Sequence, residues 1–310
     1  MLSSLQSEKK RRELNEKLIK SALILAAAIS ILTTFGILFS ILFEAIEFFQ
    51  LRSFWYFLTG TIWSPGVANS QFGALPIFAG TFVITIIALL VAIPIGLGSA
   101  IYMSEYASPK FRDYLKPILE ILAGIPTVVY GFFAAITVAP LVVKVAAFFG
   151  LEATFNSALA SGIVMGIMII PLISSLSDDV IRAVPDSQRK AAFALGMTHG
   201  ETIKNIVIPS AMPGIISASL LALSRALGET MIVVMAAGLR PNLSWNPLED
   251  MTTVTVTIVN SLVGDFEFNS PETLSAFALG LVLFIVTLIL NMISLSLIRK
   301  FKEKYKVNTL

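Results

Sequence analysis

Long apolar runs separated by short charged segments dominate the chain. Six of these runs reach the roughly 20 residues that a helix needs to cross the hydrocarbon core of a bilayer. They cover residues 21–43, 76–103, 118–147, 157–181, 210–238 and 274–298. The third run is longer than one crossing needs, so part of it is expected to tilt or to lie at the membrane surface. Because the runs are long and continuous, unlike the short alternating strands of a barrel, they predict an all-α, polytopic membrane protein with six transmembrane helices.

The amino-acid composition agrees with this interpretation. Of the 310 residues, 56% are hydrophobic and 14% are charged, whereas soluble domains carry about 25% charged residues. The chain has no cysteine and a single histidine, His199, which excludes disulfides, thiolate ligands and a histidine metal cluster. We therefore expect no metal site and no cofactor bound by this chain.

The placement of the basic residues predicts the orientation. Most of the 22 Lys and Arg residues lie in the two terminal tails and in two loops, 104–117 and 182–207. These segments share one side of the membrane if the six spans alternate, and the positive-inside rule places that side in the cytoplasm. We expect cytoplasmic basic tails at 1–20 and 299–310, a transmembrane domain at 21–298, and a location in the cytoplasmic membrane of a prokaryote. The basic tails are expected to contact lipid headgroups, and nothing indicates nucleic acid.

Two opposite charges interrupt the fifth run, in the stretch "LALSRALGETMIVVMAAG". Arg225 and Glu229 are four residues apart, so on one continuous helix they share a face and can touch. Arg225 follows Pro213 by about 18 Å of helix, close to the midplane of a core roughly 30 Å thick. Such residues are candidates for function, because charge is costly there, and the guanidinium fork matches the oxygens of an oxyanion. The alternative is an intrahelical salt bridge that only fixes packing.

A row of small residues accompanies this pair on the same run. The row repeats at four-residue spacing and consists of Gly214, Ala218, Ala222 and Ala226. Small residues allow a second helix to approach closely. The run is therefore expected to pack against a neighbour along one side, with the charged pair facing an interior or aqueous space.

The cytoplasmic segment before the fifth run, "RKAAFALGMTHGETIKNIVIPSAMPG", predicts a docking platform. A first short helix would stop at Gly196, and a second would begin near Glu201 and end at Pro209. The alternative is an amphipathic hairpin on lipid headgroups. The spacing of Ala191, Ala192, Gly196, Ile206 and Pro209 resembles the "EAA" loop of permease subunits in ABC importers.

This resemblance implies that the loop at about 182–208 couples the chain to an ATPase. The implied coupling residues are Lys190, Ala191, Ala192, Gly196, Glu201, Ile206 and Pro209. The family's leading Glu is Lys190 here, so the charge complementarity with the ATPase must differ at this position. The chain has no G-x-x-x-x-G-K-[ST] phosphate loop, and it is therefore expected to be a transport subunit without enzymatic activity, with ATP and Mg used by the partner.

Further motifs resemble the PstC-type permease of phosphate-specific ABC transporters. They are "FLTGTIWSP", "FGALPIFAGT", "PIGLGSAIYMSEYASP", "LKPILEILAGIPTVVYGFF", "RALGET" and "FALGLVLFIVTLILNMIS". The resemblance implies a type I (MetI-like) permease fold and a path for inorganic phosphate past Arg225 and Glu229. It also implies a PstA-type permease as heterodimer partner, a PstB-type ATPase dimer and a PstS-type phosphate-binding protein.

Other functions remain open at this point. The nearest is a permease for another oxyanion, such as sulfate or molybdate. A proton-coupled secondary carrier would use Arg225 and Glu229 as a relay. It would leave the cytoplasmic platform unexplained, and such carriers usually show internal repeats, which we do not find in this sequence. An intramembrane hydrolase would need a nucleophile with a base, or paired carboxylates, whereas the adjacent Asp178 and Asp179 point in different directions on a helix.

Overall fold

The computed structural model describes residues 2–66, 69–263, 267 and 269–304. The helices are α1 Leu2–Leu51, α2 Phe54–Thr59, α3 Leu75–Ile101, α4 Pro109–Gly124, α5 Thr127–Phe133, α6 Ala139–Phe148, α7 Ala158–Arg182, α8 Asp186–Ala194, α9 His199–Thr202, α10 Ile208–Leu227, α11 Met231–Ala236, α12 Val254–Val263 and α13 Pro271–Lys304. Three π-helical turns extend or join them, at Tyr102–Tyr106, Ala134–Val138 and Ile203–Val207. A short antiparallel hairpin pairs β1, Trp63–Ser64, with β2, Gln71–Phe72.

Six helical segments are long and apolar enough to cross a membrane, as the sequence predicts. They span Asn15–Leu51, Leu75–Tyr106, Thr127–Phe148, Ala158–Arg182, His199–Leu227 and Pro271–Lys300. The boundaries differ from the predicted ones in three places. The first helix continues past residue 43 to Leu51, because Glu44 and Glu47 are good helix formers and do not end it.

The third apolar run divides into two helices. Helix α4 ends at Gly124, and Ile125 and Pro126 are extended, with ψ angles of 130° and 137°. Proline has no N–H to continue the helix, and the residue before a proline is disfavoured in the helical region. The excess length of this run is therefore explained by a break, and the crossing helix begins at Thr127.

The fifth predicted run, 210–238, is also not one helix. Helix α10 ends at Leu227, and α11 begins at Met231 after a turn that contains Gly228. At its N-terminal end the same helix is longer than predicted. The predicted end at Pro209 is wrong, because the π-helical turn at Ile203–Val207 joins α9 to α10. A π turn widens the hydrogen-bond ladder just where Pro209 lacks a donor.

The core of the bundle is the contact between α3 and α7. Glycines permit it: a Cβ at Gly166 would lie 2.8 Å from the Ala88 carbonyl oxygen and 2.8 Å from Val91 Cβ. Helix α10 approaches α7 in the same way at Gly214, where a Cβ would lie 2.2 Å from Val180 Cγ1. The small-residue row is thus at an interhelical contact, and Ala218, Ala222 and Ala226 are buried, as predicted.

A second apolar cluster covers the end of the bundle that carries the β-hairpin. Phe48 of α1 makes edge-to-face contacts with Phe57 and Phe72 at centroid distances of 5.4 Å. The turn before α12 is fixed by Thr81 of α3, whose Oγ1 accepts the Val254 N–H at 3.0 Å. These contacts place α12 against the same end of the bundle as the hairpin.

Candidate functional site

Arg225 lies in the last turn of α10, on an exposed face that adjoins the buried small-residue row. Its side chain is exposed, as are those of Ser217 and Leu221 on the preceding turns. Within the described part of the chain, Arg225 takes part in no ion pair and no hydrogen bond. The guanidinium is therefore an unpaired positive charge on the open side of an apolar span.

Glu229 lies apart from Arg225 and is buried, with 8% of the residue exposed. Its Oε1 accepts the backbone N–H groups of Met231 at 3.0 Å and Ile232 at 3.3 Å. Its backbone carbonyl accepts the Thr255 hydroxyl at 2.7 Å. The expectation that Arg225 and Glu229 pair on one helix face is wrong, because α10 ends at Leu227 and the carboxylate instead caps the first turn of α11.

Tyr130 is the aromatic neighbour of this site. Its ring packs against the core cluster that contains Ala222 and Ala226, and its hydroxyl is close enough to Arg225 to interact electrostatically with it. The same hydroxyl donates to the Leu122 carbonyl at 2.9 Å, across the break between α4 and α5. Sequence reasoning missed Tyr130, although the Gly-Ile-Pro break five residues before it signals a distorted helix.

The predicted docking platform consists of α8 and α9, joined by a turn at Gly196. This glycine has a φ of +84°, a conformation that favours residues without a Cβ. Helix α9 begins with a capping box, in which Thr198 and Glu201 exchange side-chain and backbone hydrogen bonds. Of the predicted coupling residues, Lys190, Ala191, Gly196 and Glu201 are exposed, Ile206 and Pro209 are half-buried, and Ala192 is buried.

Arg189 attaches this platform to the bundle. Its Nη2 donates to the Glu105 carboxylate at 2.9 Å and to the Ile181 carbonyl at 3.0 Å. Its Nη1 donates to the Val184 carbonyl and to Asp186. These contacts connect α8 to the ends of both α3 and α7. Sequence reasoning also missed this residue, which is the neighbour of the predicted Lys190.

Two further ion pairs connect α4 to the C-terminal end of α7. Arg112 Nη2 lies 2.7 Å from Asp178 Oδ2, and Lys116 Nζ lies 2.6 Å from Asp179 Oδ1. The two pairs differ in burial: the Asp178 side chain is 1% exposed and that of Asp179 is 53% exposed. The four-residue spacing of Arg112 and Lys116 is the sequence signal that both point from one side of α4.

Comparison with known proteins assigns the family. Residues 92–306 match the family described as "Binding-protein-dependent transport system inner membrane component". A relative from Bacillus subtilis (strain 168), "Probable ABC transporter permease protein YqgH", is 35% identical and covers 81% of this chain and 78% of its own length. The "Phosphate transport system permease protein PstC" of Mesorhizobium japonicum is 34% identical, over 86% of this chain and 84% of its own.

Solved structures agree with the fold. The "Crystal structure of bacterial alginate ABC transporter in complex with alginate pentasaccharide-bound periplasmic protein" contains a chain that superposes with a TM-score of 0.59, at 15% identity, over 90% of this chain and 94% of that one. A chain of the MetNI methionine ABC transporter gives a TM-score of 0.53 at 15% identity, over 74% and 94%. These likenesses confirm the predicted MetI-like permease fold. The chain is thus a multi-pass membrane protein that belongs to the family of binding-protein-dependent transport system inner membrane components.

Proposed function

We propose that this chain is the PstC-type permease subunit of an ATP-driven importer and forms part of the path of inorganic phosphate across the cytoplasmic membrane. The observation that carries the proposal is the unpaired Arg225. A charged residue in an apolar span is costly unless it faces water, a partner or a ligand. Because no carboxylate of the described residues neutralises Arg225, its guanidinium is available to an oxyanion.

Phosphate suits such a group well. A guanidinium presents planar, charge-assisted donors to two oxygens of an anion at once. Arg225 is exposed on the same face of α10 as Ser217 and Leu221, and this face would line the path. The PstC proteins that share about a third of their residues with this chain support phosphate as the solute.

Glu229 is proposed as the second residue on the path. Its Oε1 is occupied by two backbone N–H groups, whereas Oε2 carries no hydrogen bond from the described residues. Phosphate near neutral pH retains a proton that sulfate lacks, so Oε2 is able to accept that proton from phosphate and to repel sulfate. A site built for a polar hydrogen discriminates strongly against an analogue without it.

The partner subunits follow from three surfaces. A PstA-type permease would cover the exposed apolar side chains of α4 and α5, which include Ile121, Val129 and Phe132. A PstB-type ATPase dimer, which binds ATP and Mg, would dock on the coupling loop at 182–208, where Leu195 is 81% exposed. A PstS-type binding protein would contact the opposite, hairpin end of the bundle. In this arrangement both chain termini are cytoplasmic.

The test is uptake of labelled phosphate by cells that lack their own high-affinity system. The cells would express this chain together with its neighbouring transporter genes, as wild type, Arg225→Ala and Lys144→Ala. Lys144 is the matched control, because it is an exposed cation in another span. We expect sulfate-resistant uptake that Arg225→Ala reduces by about tenfold or more, the loss expected for a hydrogen bond between charged groups, and that Lys144→Ala preserves.

Two results would contradict this proposal. Uptake unchanged in Arg225→Ala would remove Arg225 from the path. An assembled wild-type complex that imports sulfate or molybdate but not phosphate would assign a different oxyanion to the same fold.

A further inference from the structure

The break between α4 and α5 leaves the last carbonyls of α4 without their normal helical partners, and that of Leu122 is among them. In a continuous helix the N–H of residue 126 would donate to the Leu122 carbonyl, four residues earlier. Residue 126 is a proline and has no N–H. The Ile125 N–H reaches the same carbonyl only at 3.3 Å. Tyr130 supplies the missing donor, because its hydroxyl lies 2.9 Å from the Leu122 oxygen.

This hydrogen bond lies beside the unpaired arginine. The Tyr130 ring packs against the cluster that contains Ala222 and Ala226, one turn before and directly after Arg225 on α10. The Tyr130 hydroxyl is close enough to Arg225 for the two to interact electrostatically. The last carbonyls of α4, including that of Leu122, form the negative end of the dipole of that helix. Arg225 therefore has a dipolar hydroxyl as a neighbour at the place where the sequence suggested a carboxylate, and that hydroxyl is bonded to the end of α4.

Dipoles and a carboxylate affect an arginine differently. A carboxylate at ion-pair distance neutralises the charge and occupies the donors that an anion would need. A phenolic oxygen and a helix C-terminus favour the position of the guanidinium but leave its net charge intact. Such an arrangement suits a residue that must hold an anion briefly and release it.

We propose that Tyr130 is a positioning residue for Arg225: its hydroxyl closes the α4–α5 break and thereby holds the break beside the guanidinium. This inference rests on the proposed phosphate path, since it assigns Tyr130 a role in presenting Arg225 to that path. Tyr130 acts through Arg225 and through the backbone of α4.

The cysteine-free chain offers a direct test. Leu221 is 52% exposed, one turn before Arg225 on the same face, so Leu221→Cys is a reporter of the local potential. In membranes that contain the full transporter, the rates of modification by an anionic and a cationic methanethiosulfonate of similar size would be compared. The ratio of the two rates reports the positive charge near residue 221 and is insensitive to an equal change in accessibility.

The ratio would be measured in the reporter chain, and again with Tyr130→Phe, Tyr114→Phe or Arg225→Ala added. Tyr114 is the matched control, because it lies on α4 and is 69% exposed. We expect Tyr130→Phe to lower the anion preference by about three- to tenfold, the range of one hydrogen bond, toward the value of Arg225→Ala. Tyr114→Phe should leave the ratio unchanged.

The outcomes separate this inference from the proposed function. An anion preference that Arg225→Ala removes and Tyr130→Phe preserves would overturn the role of Tyr130 and leave the path intact. Equal slowing of both reagents by Tyr130→Phe would also overturn it, in favour of packing alone. A reporter that reacts with neither reagent would refute the proposed path itself. If Tyr130→Phe does not assemble, Tyr130→His supplies another ring donor, and failure of both variants to assemble would refute a positioning role.

Discussion

The end of the bundle that carries α8 and the Arg225 site differ in how their charges are paired. At the α8 end, Arg112, Lys116 and Arg189 each lie within 3 Å of a carboxylate oxygen, at 2.7, 2.6 and 2.9 Å. At the other site Arg225 has no such partner among the described residues, and the nearby Glu229 binds backbone N–H groups instead. The first set of charges joins helices together. Arg225 joins nothing, which is why we assign it to the transported ion.

This difference separates the charges that stabilise the fold from the charge that we assign to transport. Removing one member of a buried ion pair leaves the other charge without a partner in an apolar surrounding, so the substitution should lower the free energy of unfolding. An exposed, unpaired charge contributes little to stability, so its loss should appear in transport.

Asp178 and Asp179 provide the sharpest contrast, because they are adjacent and chemically identical. Asp178→Ala should destabilise the protein by about 3–5 kcal/mol, since it leaves the Arg112 guanidinium partly buried and unpaired. Asp179→Ala should cost at most about 1 kcal/mol, because that pair is half-exposed. Thermal unfolding of the purified complex in detergent would measure both. Equal losses of stability in the two variants would show that burial does not determine how much each ion pair contributes to stability.

Arg189 should affect the coupling of ATP hydrolysis to transport. Arg189→Ala removes the attachment of α8 to Glu105 and Ile181, and we expect solute-stimulated ATP hydrolysis to fall about tenfold, the equivalent of one charged hydrogen bond. Lys110→Ala is the control, because Lys110 is an exposed cation on α4. An intact ATPase response in Arg189→Ala would refute the attachment role.

Glu229 allows its cap to be tested separately from its charge. Glu229→Ala removes the acceptor for two N–H groups of α11 and should cost about 1 kcal/mol of stability. Glu229→Gln retains an amide oxygen for the cap and should unfold close to the wild-type temperature. In that variant an NH₂ group takes the place of Oε2, so sulfate should compete better with phosphate uptake. Preserved uptake and preserved resistance to sulfate would remove Glu229 from ion selection.

The smallest predicted effect concerns the loop between α11 and α12. Hydrogen bonds from Ser244, Asn242 and Asn246 hold the pKa of Glu249 below its usual value. The ionised carboxylate therefore stabilises the loop at pH values above the pKa of the unfolded group, and this contribution is lost as the pH falls through the lowered folded-state pKa.

An environment-sensitive dye on Leu243→Cys would follow this transition in the cysteine-free chain. We expect the dye signal to change at acidic pH, below the normal carboxyl pKa, and to stay constant when Glu249→Gln is added. A transition that persists in Glu249→Gln would assign it to another group.

Much of the fold could be predicted from the sequence, because the length and apolarity of a run decide whether it crosses a membrane. The six spans and the small-residue row from Gly214 to Ala226 follow from such local patterns. The ends of the helices were less predictable. At the break at Pro126 and at the end of α10 at Leu227, neighbouring backbone groups form hydrogen bonds with side chains. Those side chains are Tyr130 and Glu229, and only the packed structure shows these bonds.

The candidate site shows the same limit more sharply. Four-residue spacing predicted contact between Arg225 and Glu229, but that rule holds only within one continuous helix. Helix α10 ends at Leu227, between the two residues, so the rule does not apply to them. The pairs that connect different helices, such as Arg112 with Asp178, join residues far apart in sequence. No local pattern predicts which helices meet, so these pairs could not be predicted from the sequence.

The most direct test compares Arg225→Gln with Arg112→Gln by phosphate uptake per folded complex, with the amount of folded complex determined in the same membranes. We expect Arg225→Gln to be as abundant as wild type and to have lost most of its uptake per complex. We expect Arg112→Gln to be depleted, with each remaining complex transporting at close to the wild-type rate. Equal loss of uptake per complex in both variants, or depletion of Arg225→Gln alone, would contradict the division between structural and functional charge.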